Sequence, residues 1–238
     1  MSETARMWTE VSFNVLYLVV VWSLVVLMWR RREVARGERP LSTLFLLAFF
    51  LLALGDTGHV GFRVWAYARG GLESTISLFG REVGLVGLGA LATSITVTLF
   101  YVIVLVIWQR RFHKPYGWFG YLLFAAAVVR LIIHFFPQNE WNNVVSPQPW
   151  STYRNLPLML QGLGAAYLIL RDAVAAQDRT YTWIGAMILV SYAFYMPVIF
   201  FVQQVPLVGM LMIPKTLAYV AIAFLGYAAY FRIPSFDQ

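Results

Sequence analysis

Long apolar blocks, separated by short polar connections, dominate the pattern of this chain. A helix that crosses a bilayer needs about 20 mostly apolar residues, and seven blocks approach or exceed that length. They predict an all-α, polytopic membrane bundle of seven transmembrane helices, forming a single domain over residues 1–238. The fifth block is the shortest and follows Pro157. The approximate spans are 11–29, 42–67, 83–108, 117–136, 156–171, 181–203 and 207–231.

Basic residues are concentrated in alternate connections between these blocks. Eleven Lys and Arg residues lie after the first, third, fifth and seventh blocks, whereas four lie on the opposite side. By the positive-inside rule, this asymmetry predicts an outside N-terminus and a cytoplasmic C-terminus. The eleven are Arg30, Arg31, Arg32, Arg36, Arg39, Arg110, Arg111, Lys114, Arg171, Arg179 and Arg232.

The longest polar connection, residues 137–155, lies on the predicted outer side. It contains three prolines, which disfavour helix, and two tryptophans, which suit the membrane interface. Because a simple connection would be shorter, we expect this segment to form an outer capping loop over a pocket.

The composition agrees with a membrane protein. Apolar residues make up 60% of the chain and charged residues 12%, against roughly 45–50% and 25% in soluble domains. These values exclude a soluble enzyme, a disordered chain and a nucleic-acid-binding domain. The net charge of +7 follows mostly from topology, and the absence of cysteine excludes disulfides and thiolate chemistry.

Ionisable residues inside the predicted spans are the main functional signal. Each costs roughly 2.5–3.5 kcal/mol at a helix centre, so such groups need partners or water within the bundle. Asp56, His59 and Arg63 share one helical face by their i, i+3, i+7 spacing, and Arg130 and His134 share another by i, i+4 spacing. Polar groups from six spans lie in the same outer half, which predicts one outward-facing pocket. The candidate ligand-binding residues are Asp56, His59, Arg63, Glu82, Arg130, His134, Asn139, Gln161, Tyr195 and Lys215.

The charge of this predicted pocket indicates the kind of ligand. Arg63, Arg130 and Lys215 face a single deep acid, Asp56, with Glu82 at the rim. The pocket therefore favours a small anionic or amphiphilic, lipid-like ligand, bound by a receptor, a sensor or a transport-related binding protein in contact with membrane lipid. The apolar inner halves of the spans count against a channel. The sequence assigns no catalytic residue and no cofactor, and it leaves enzyme activity and oligomeric state open.

An intramembrane lipid-modifying hydrolase is one alternative, with His59 or His134 as general base. Asp56, His59 and His134 could also supply the two histidines and one carboxylate of a zinc site, as in membrane hydrolases of the ceramidase and adiponectin-receptor type. The paired-histidine pattern H-x-x-x-H of those enzymes is absent, and three nearby cations would repel a metal. We therefore assign no metal ligands.

A retinal-type chromophore at Lys215 is a second alternative. Seven spans, an outside N-terminus and a lysine in the last span are somewhat similar to microbial rhodopsins, and the FYMP stretch is faintly similar to their aromatic-proline segment. The third span has no acid at mid-depth, and Leu211 stands four residues before the lysine. Asp56 is the sole candidate counter-ion.

Five segments carry a broader resemblance: GDTGHVGFR, TSITVTLFYV, RLIIHFFPQNEW, YRNLPLMLQG and GMLMIPKTLAYV. Together they resemble a family of uncharacterised bacterial seven-span integral membrane proteins, from the second span to the seventh. PQNEW and IPKT are the most specific parts. The resemblance implies a multi-pass protein of the bacterial cytoplasmic (inner) membrane, and it transfers no activity and no site residue.

Overall fold

Seven α-helices make up most of the structure, a computed structural model that describes residues 3–33 and 39–232. The chain is 79% helical. Arg36, one of the predicted inner-side cations, lies outside the described residues. The helices are α1 Glu3–Arg30, α2 Arg39–Ala68, α3 Leu85–Phe112, α4 Gly117–Ile133, α5 Trp150–Ala175, α6 Arg179–Phe201 and α7 Met212–Tyr230.

Six of these helices are long and apolar enough to cross a membrane: α1, α2, α3, α5, α6 and α7, the last counted with the 3₁₀ turn Pro206–Leu211 before it. Helix α4 has 17 residues. At 1.5 Å per residue it is about 25 Å long, against about 30 Å for the hydrocarbon core. The fold is that of an all-α, multi-pass membrane bundle, and the seventh span stays a prediction.

The prediction that the fifth span is the shortest is wrong. Helix α5 has 26 residues, starts at Trp150 and continues through Pro157. Residues 150–155, assigned above to the capping loop, form its first turns. Pro149 immediately precedes the helix, and proline is tolerated there because the first backbone N–H groups of a helix have no intrahelical partner.

A β-hairpin between α2 and α3 was not predicted. Strand β1, Thr75–Leu78, pairs antiparallel with β2, Arg81–Gly84. The two turn residues, Phe79 and Gly80, both have positive φ, as the commonest two-residue hairpin turn requires. The hairpin takes up residues just before the third span, so α3 starts two residues later than expected.

Small residues bring α2 and α3 close together, as their number in the third span predicts. A Cβ atom added at Gly55 would lie 1.8 Å from the Thr96 hydroxyl, and one added at Gly89 would lie 3.0 Å from the Gly58 carbonyl. The Thr96 side chain therefore packs directly on the Gly55 backbone, and the backbones of Gly89 and Gly58 come into direct contact. This contact places Asp56 and His59 of α2 directly beside α3.

One end of the bundle collects the basic connections. Arg31, after α1, donates a hydrogen bond of 3.4 Å to the carbonyl of Phe231, after α7. Arg111, at the end of α3, donates two hydrogen bonds of 2.9 and 2.7 Å to Asp178, which precedes α6. We call this the basic end.

At the opposite end lie the hairpin, residues 134–149 and residues 202–211. Asn142 donates a 3.2 Å hydrogen bond to the carbonyl of Glu82, and Gln203 donates a 2.6 Å bond to the carbonyl of Ser146. We call this the loop end. The candidate residues of the sequence belong to this end and to the helix segments below it.

An apolar layer separates the two ends. Buried tyrosine pairs flank it: the Tyr101 and Tyr219 hydroxyls are 2.7 Å apart, and those of Tyr181 and Tyr230 are 2.6 Å apart. Between them, aromatic and branched aliphatic side chains form the core. Prominent members are Phe45, Phe49, Phe100, Ile188 and Ile222.

Candidate functional site

Asp56 is hydrogen-bonded to hydroxyl groups from two neighbouring helices. Tyr17 of α1 donates to its Oδ2 at 2.5 Å, and Thr93 of α3 donates to its Oδ1 at 3.0 Å. No described Lys, Arg or His side chain forms an ion pair with this carboxylate. An ion pair of Asp56 with Arg130 or Lys215, which their opposite charges would also allow, is not formed, because hydroxyls of α1 and α3 donate to its two oxygens.

His59 and Lys215 continue this group towards α7. Electrostatic interactions connect the His59 ring with Arg63, Asp56 and Lys215. The Nδ1 atom of His59 is buried and has no hydrogen-bond partner among the described residues. The spacing of Asp56, His59 and Arg63 in the sequence already predicts that they share one face of α2. The fold places Lys215 of α7 near that face. We call Tyr17, Asp56, His59, Arg63, Thr93 and Lys215 the Asp56 cluster.

The Lys215 ammonium is accompanied by aromatic rings. Its Nζ lies 4.5 Å from the centre of the Tyr195 ring and 5.6 Å from that of Tyr219. No described carboxylate lies within ion-pair distance of it. Cation–π contacts of this kind stabilise an ammonium without neutralising its charge. The lysine thus contributes a full positive charge to the loop end.

Arg130 is a buried structural cation. It is 2% exposed, and every hydrogen bond of its guanidinium is accepted by a neutral oxygen. Nε donates to the Arg154 carbonyl at 2.8 Å, Nη1 donates to the Ser94 carbonyl at 2.8 Å and to the Thr98 hydroxyl, and Nη2 donates to the Ser94 hydroxyl at 2.9 Å. Four of its five N–H donors are thereby used. The side chain joins α3, α4 and α5.

His134, at the end of α4, packs beside Arg130. Its Nε2 lies 2.6 Å from the Ser94 hydroxyl. The ring of Trp141 lies 5.6 Å away, and the Trp141 indole donates a 3.0 Å hydrogen bond to the His134 carbonyl. The Nδ1 atom is buried without a partner in the described part of the chain. We call Ser94, Thr98, Arg130, His134, Trp141 and Arg154 the Arg130 cluster.

Arg154 was missed as a site residue, because it was counted as a cation of the outer loop. It lies in the first turns of α5 and is only 8% exposed. Its guanidinium lies 4.5 Å from the centre of the Trp141 ring, and Nη2 donates to the Ser146 hydroxyl. Nη1 is buried and unpaired within the described residues. The i, i+7 spacing to Gln161, which puts both on one helical face, was the available signal.

Two other predicted residues, Asn139 and Gln161, have mainly structural contacts. Asn139 is buried and donates hydrogen bonds of 2.6 and 2.9 Å to the carbonyls of Ile133 and Phe136, which closes the end of α4. Gln161 is buried and donates a long bond of 3.4 Å to the Thr98 carbonyl. Both keep a buried side-chain oxygen without a partner among the described residues.

Tyr195 connects the two clusters. Its hydroxyl donates to Asn155 at 3.2 Å, while its ring lies under Lys215. On α3, the adjacent residues Thr93 and Ser94 belong to one cluster each. The clusters are therefore contiguous.

Glu82 is not part of either cluster. It is exposed on strand β2, where the Thr75 hydroxyl donates a 2.6 Å hydrogen bond to its carboxylate. The structure places this residue, expected at the rim of the pocket, on the exposed surface of the hairpin. Neither Arg63 nor Arg81 forms an ion pair with it.

The segment after α4 lies directly on the start of α3. A Cβ atom added at Gly87 would lie 1.4 Å from the Trp141 carbonyl, and one added at Gly84 would lie 2.7 Å from that of Asn142. Glycine at both positions therefore lets the backbone of this segment pack against the helix. Trp141 is held next to His134 and Arg154 by this contact.

The zinc-type ligand set is not assembled. Among the side chains described in residues 11–33 and 39–232, no group of three or more His, Asp or Glu could hold a metal ion. Asp56 and His59 lie in one cluster and His134 in the other, where its Nε2 is bonded to Ser94. What the arrangement offers chemically is a set of positive charges and free N–H donors.

The chain matches no protein-family model, no curated protein and no solved structure. The resemblance to uncharacterised bacterial seven-span membrane proteins, and the fainter one to microbial rhodopsins, stay predictions. Function is therefore argued from the geometry of the two clusters.

Proposed function

We propose that this protein spans the bacterial inner membrane seven times and binds a small anionic or amphiphilic, lipid-like ligand at its loop end. It would act as a receptor, a sensor or a transport-related binding protein. The observation that carries the proposal is Arg154, which is buried and uses one side-chain N–H in a hydrogen bond. A buried charge without a partner is costly, so an anion bound there would stabilise the site.

The charge of the surrounding groups supports the same kind of ligand. Arg130, Arg154 and Lys215 contribute three positive charges, and none has an ion pair with a described carboxylate. Asp56, in the adjoining cluster, contributes one negative charge against these three, and its two oxygens accept from hydroxyl groups. The site is therefore net cationic, which favours anions over neutral or cationic ligands.

Exposed apolar side chains beside the site favour an amphiphile over a purely aqueous ion. Phe135 is 89% exposed and Phe136 is 43% exposed, immediately after His134. In a membrane these rings would contact acyl chains or the interface. With the N-terminus outside, the loop end would face the outer leaflet, from which a lipid-like molecule could enter.

Stability of the purified protein in dodecyl maltoside provides the test. Dodecyl phosphate and dodecanoate are expected to raise its melting temperature, whereas dodecyltrimethylammonium, with the same chain and opposite charge, is expected to leave it unchanged. Equal effects of the three amphiphiles would show that the alkyl chain acts without a cationic site, and would contradict the proposal.

A lipid-modifying enzyme is the second candidate, because the Ser94 hydroxyl and His134 Nε2 are within hydrogen-bond distance at 2.6 Å. A nucleophile beside a base is the arrangement that acyl transfer uses. Ser94 Oγ would attack an ester carbonyl while His134 accepts its proton, and the one guanidinium N–H of Arg130 that is left unused would stabilise the oxyanion. Cleavage of the ester C–O bond would release the alcohol, which takes the proton from His134, and water would then hydrolyse the acyl-serine. Covalent labelling by a fluorophosphonate, lost in Ser94→Ala, is the expected result; an unlabelled wild-type protein would rule out this reaction.

A further inference from the structure

We infer that the anionic group of the ligand is a phosphate, bound by Arg154 and His134 beside Trp141. This inference rests on the proposed function and specifies the chemical class of the ligand.

The first observation is the number of free donors on Arg154. A guanidinium has five N–H groups, and the Arg154 side chain donates one of them, to Ser146. Its Nη1 is fully buried without a partner in the described part of the chain. The planar fork of a guanidinium matches two oxygens of a phosphate or carboxylate. Arg154 is thus preorganised, by its contact with Trp141, to bind an oxyanion.

The second observation is the proton of His134. The Ser94 hydroxyl accepts a hydrogen bond from Arg130 Nη2, so its own proton is free to be donated to His134 Nε2. A neutral imidazole that accepts at Nε2 carries its proton on Nδ1. That Nδ1 is buried and unpaired among the described residues. His134 therefore offers a second buried donor.

The two free donors lie around the same indole. The Arg154 guanidinium is 4.5 Å from the centre of the Trp141 ring, and the His134 ring is 5.6 Å from it. Electrostatic interactions also connect His134 with Arg154. Both donors therefore belong to side chains that contact Trp141, and we assign them to one phosphate, whose several oxygens can accept from each.

The third observation is the charge. Arg130 and Arg154 interact unfavourably with each other and have no ion pair with a described carboxylate. Arg154 also lies in the first turns of α5, where the helix dipole adds positive potential. A carboxylate would neutralise one of the two charges. A phosphate monoester carries about −1.5 to −2 at pH 7 and would neutralise both.

The two buried arginines differ in how many N–H donors they have free for a ligand. Four of the five N–H donors of Arg130 are already occupied by Ser94, Thr98 and the Arg154 carbonyl. It supplies charge and holds the Arg154 backbone, whereas Arg154 supplies the free N–H groups. Substitution of Arg154 is therefore expected to weaken phosphate binding with less effect on the fold than substitution of Arg130.

Titration calorimetry of the full chain in dodecyl maltoside is the experiment, with inorganic phosphate, dodecyl phosphate and dodecanoate as probes. Dodecyl phosphate is expected to bind at least tenfold more tightly than dodecanoate. Inorganic phosphate that binds as tightly as dodecyl phosphate would identify free phosphate as the ligand, whereas a preference for dodecyl phosphate would identify a lipid headgroup. Both results support the inference.

Arg154→Gln is expected to weaken binding of the tighter phosphate probe at least tenfold, while Arg69→Gln, an exposed arginine at the same end, should leave it unchanged. Arg154→Lys keeps the positive charge but removes the planar guanidinium, so it should also weaken phosphate binding. It replaces Arg154→Gln in the experiment if the glutamine variant does not fold. Unchanged affinity in a folded Arg154 variant would overturn the inference.

The outcomes for the two proposals are separable. Binding of dodecanoate with equal or greater affinity than dodecyl phosphate would overturn the phosphate inference and leave the anionic-ligand proposal intact. No binding of any of the three anionic probes would overturn both.

Discussion

The Asp56 carboxylate shows that a charged side chain within this helical bundle needs hydrogen-bond partners from neighbouring helices. Its spacing to His59 and Arg63 could be recognised from the sequence, because side chains at i, i+3 and i+7 share a helical face. Its partners could not, since Tyr17 and Thr93 come from α1 and α3 and are set by packing. A hydroxyl group is a common hydrogen-bond partner for a carboxylate, and the sequence contains many hydroxyl side chains that could have bonded to Asp56. The ion pairs suggested by charge alone do not form.

Substitution of Asp56 tests this hydrogen bonding. Asp56→Ala leaves the Tyr17 and Thr93 hydroxyls unpaired, at a cost of about 1–3 kcal/mol for each buried group. Asp56→Asn keeps an oxygen acceptor and the side-chain volume, so it should destabilise the protein less. Thermal unfolding in detergent measures both, with Glu73→Gln, an exposed acid, as control. If Asn destabilises as much as Ala, the negative charge itself, through Lys215, is what stabilises the fold.

Arg154 shows where sequence reasoning failed at the residue scale. It was assigned to a loop because prolines precede it, and a loop arginine is ordinarily solvated. The helix that starts at Trp150 buries it instead. Arg130, in the middle of an apolar run, was recognised because a charge at that depth needs an explanation. Burial that depends on a helix boundary is harder to predict than burial set by a long apolar run.

At the scale of the elements, the helices could be predicted from the long apolar blocks, and the close contact of α2 and α3 could be predicted from the small residues of the third span. The hairpin β1–β2 was missed because its strands have four residues each and lie in a polar connection. Short strands of that kind carry little periodic signal. The many small residues of the third span predict close helix packing, and the fold gives two glycines a further role: Gly84, just before α3, and Gly87, in its first turn, let the segment around Trp141 pack on the helix.

Gly87→Ala tests this seating. The added methyl group would overlap the Trp141 carbonyl, and since backbone cannot rotate away, the segment would be displaced. Overpacking of this kind costs about 1–3 kcal/mol. The melting temperature should fall, and binding of dodecyl phosphate should weaken because Trp141 moves.

Gly61→Ala is the matched control for that experiment. Nothing lies within 4 Å of a Cβ atom added at Gly61, and alanine favours helix over glycine by about 1 kcal/mol. Its melting temperature should be unchanged or higher. A Gly87→Ala protein as stable as Gly61→Ala would mean that the segment does not pack on α3.

For the molecule as a whole, the apolar layer between the two ends decides which functions are compatible with the fold. Phe49, Phe100 and Ile188 lie in that layer and are almost completely buried. It favours a site that opens at one end over a continuous polar path. The sequence predicted this asymmetry correctly, because the charges within the spans lie in one half and the basic connections lie at the other end.

Cysteine labelling tests which end is outside. The chain has no cysteine, so a single introduced thiol gives a clean signal. Val145→Cys at the loop end should react with a membrane-impermeant maleimide in intact cells, whereas His113→Cys, between α3 and α4, should react only after lysis; both positions are exposed. The reverse pattern would overturn the orientation, and reaction of both in intact cells would show that the two ends are not separated by the membrane.

The central claim, an anionic ligand held by the free guanidinium of Arg154, is tested most directly by native mass spectrometry of the full chain after mild extraction from its host membrane. The account predicts a stoichiometric adduct with the mass of an anionic compound, retained in Arg69→Gln and lost or strongly reduced in Arg154→Gln. An adduct of neutral lipid alone, or an anionic adduct equally abundant in both variants, would contradict it.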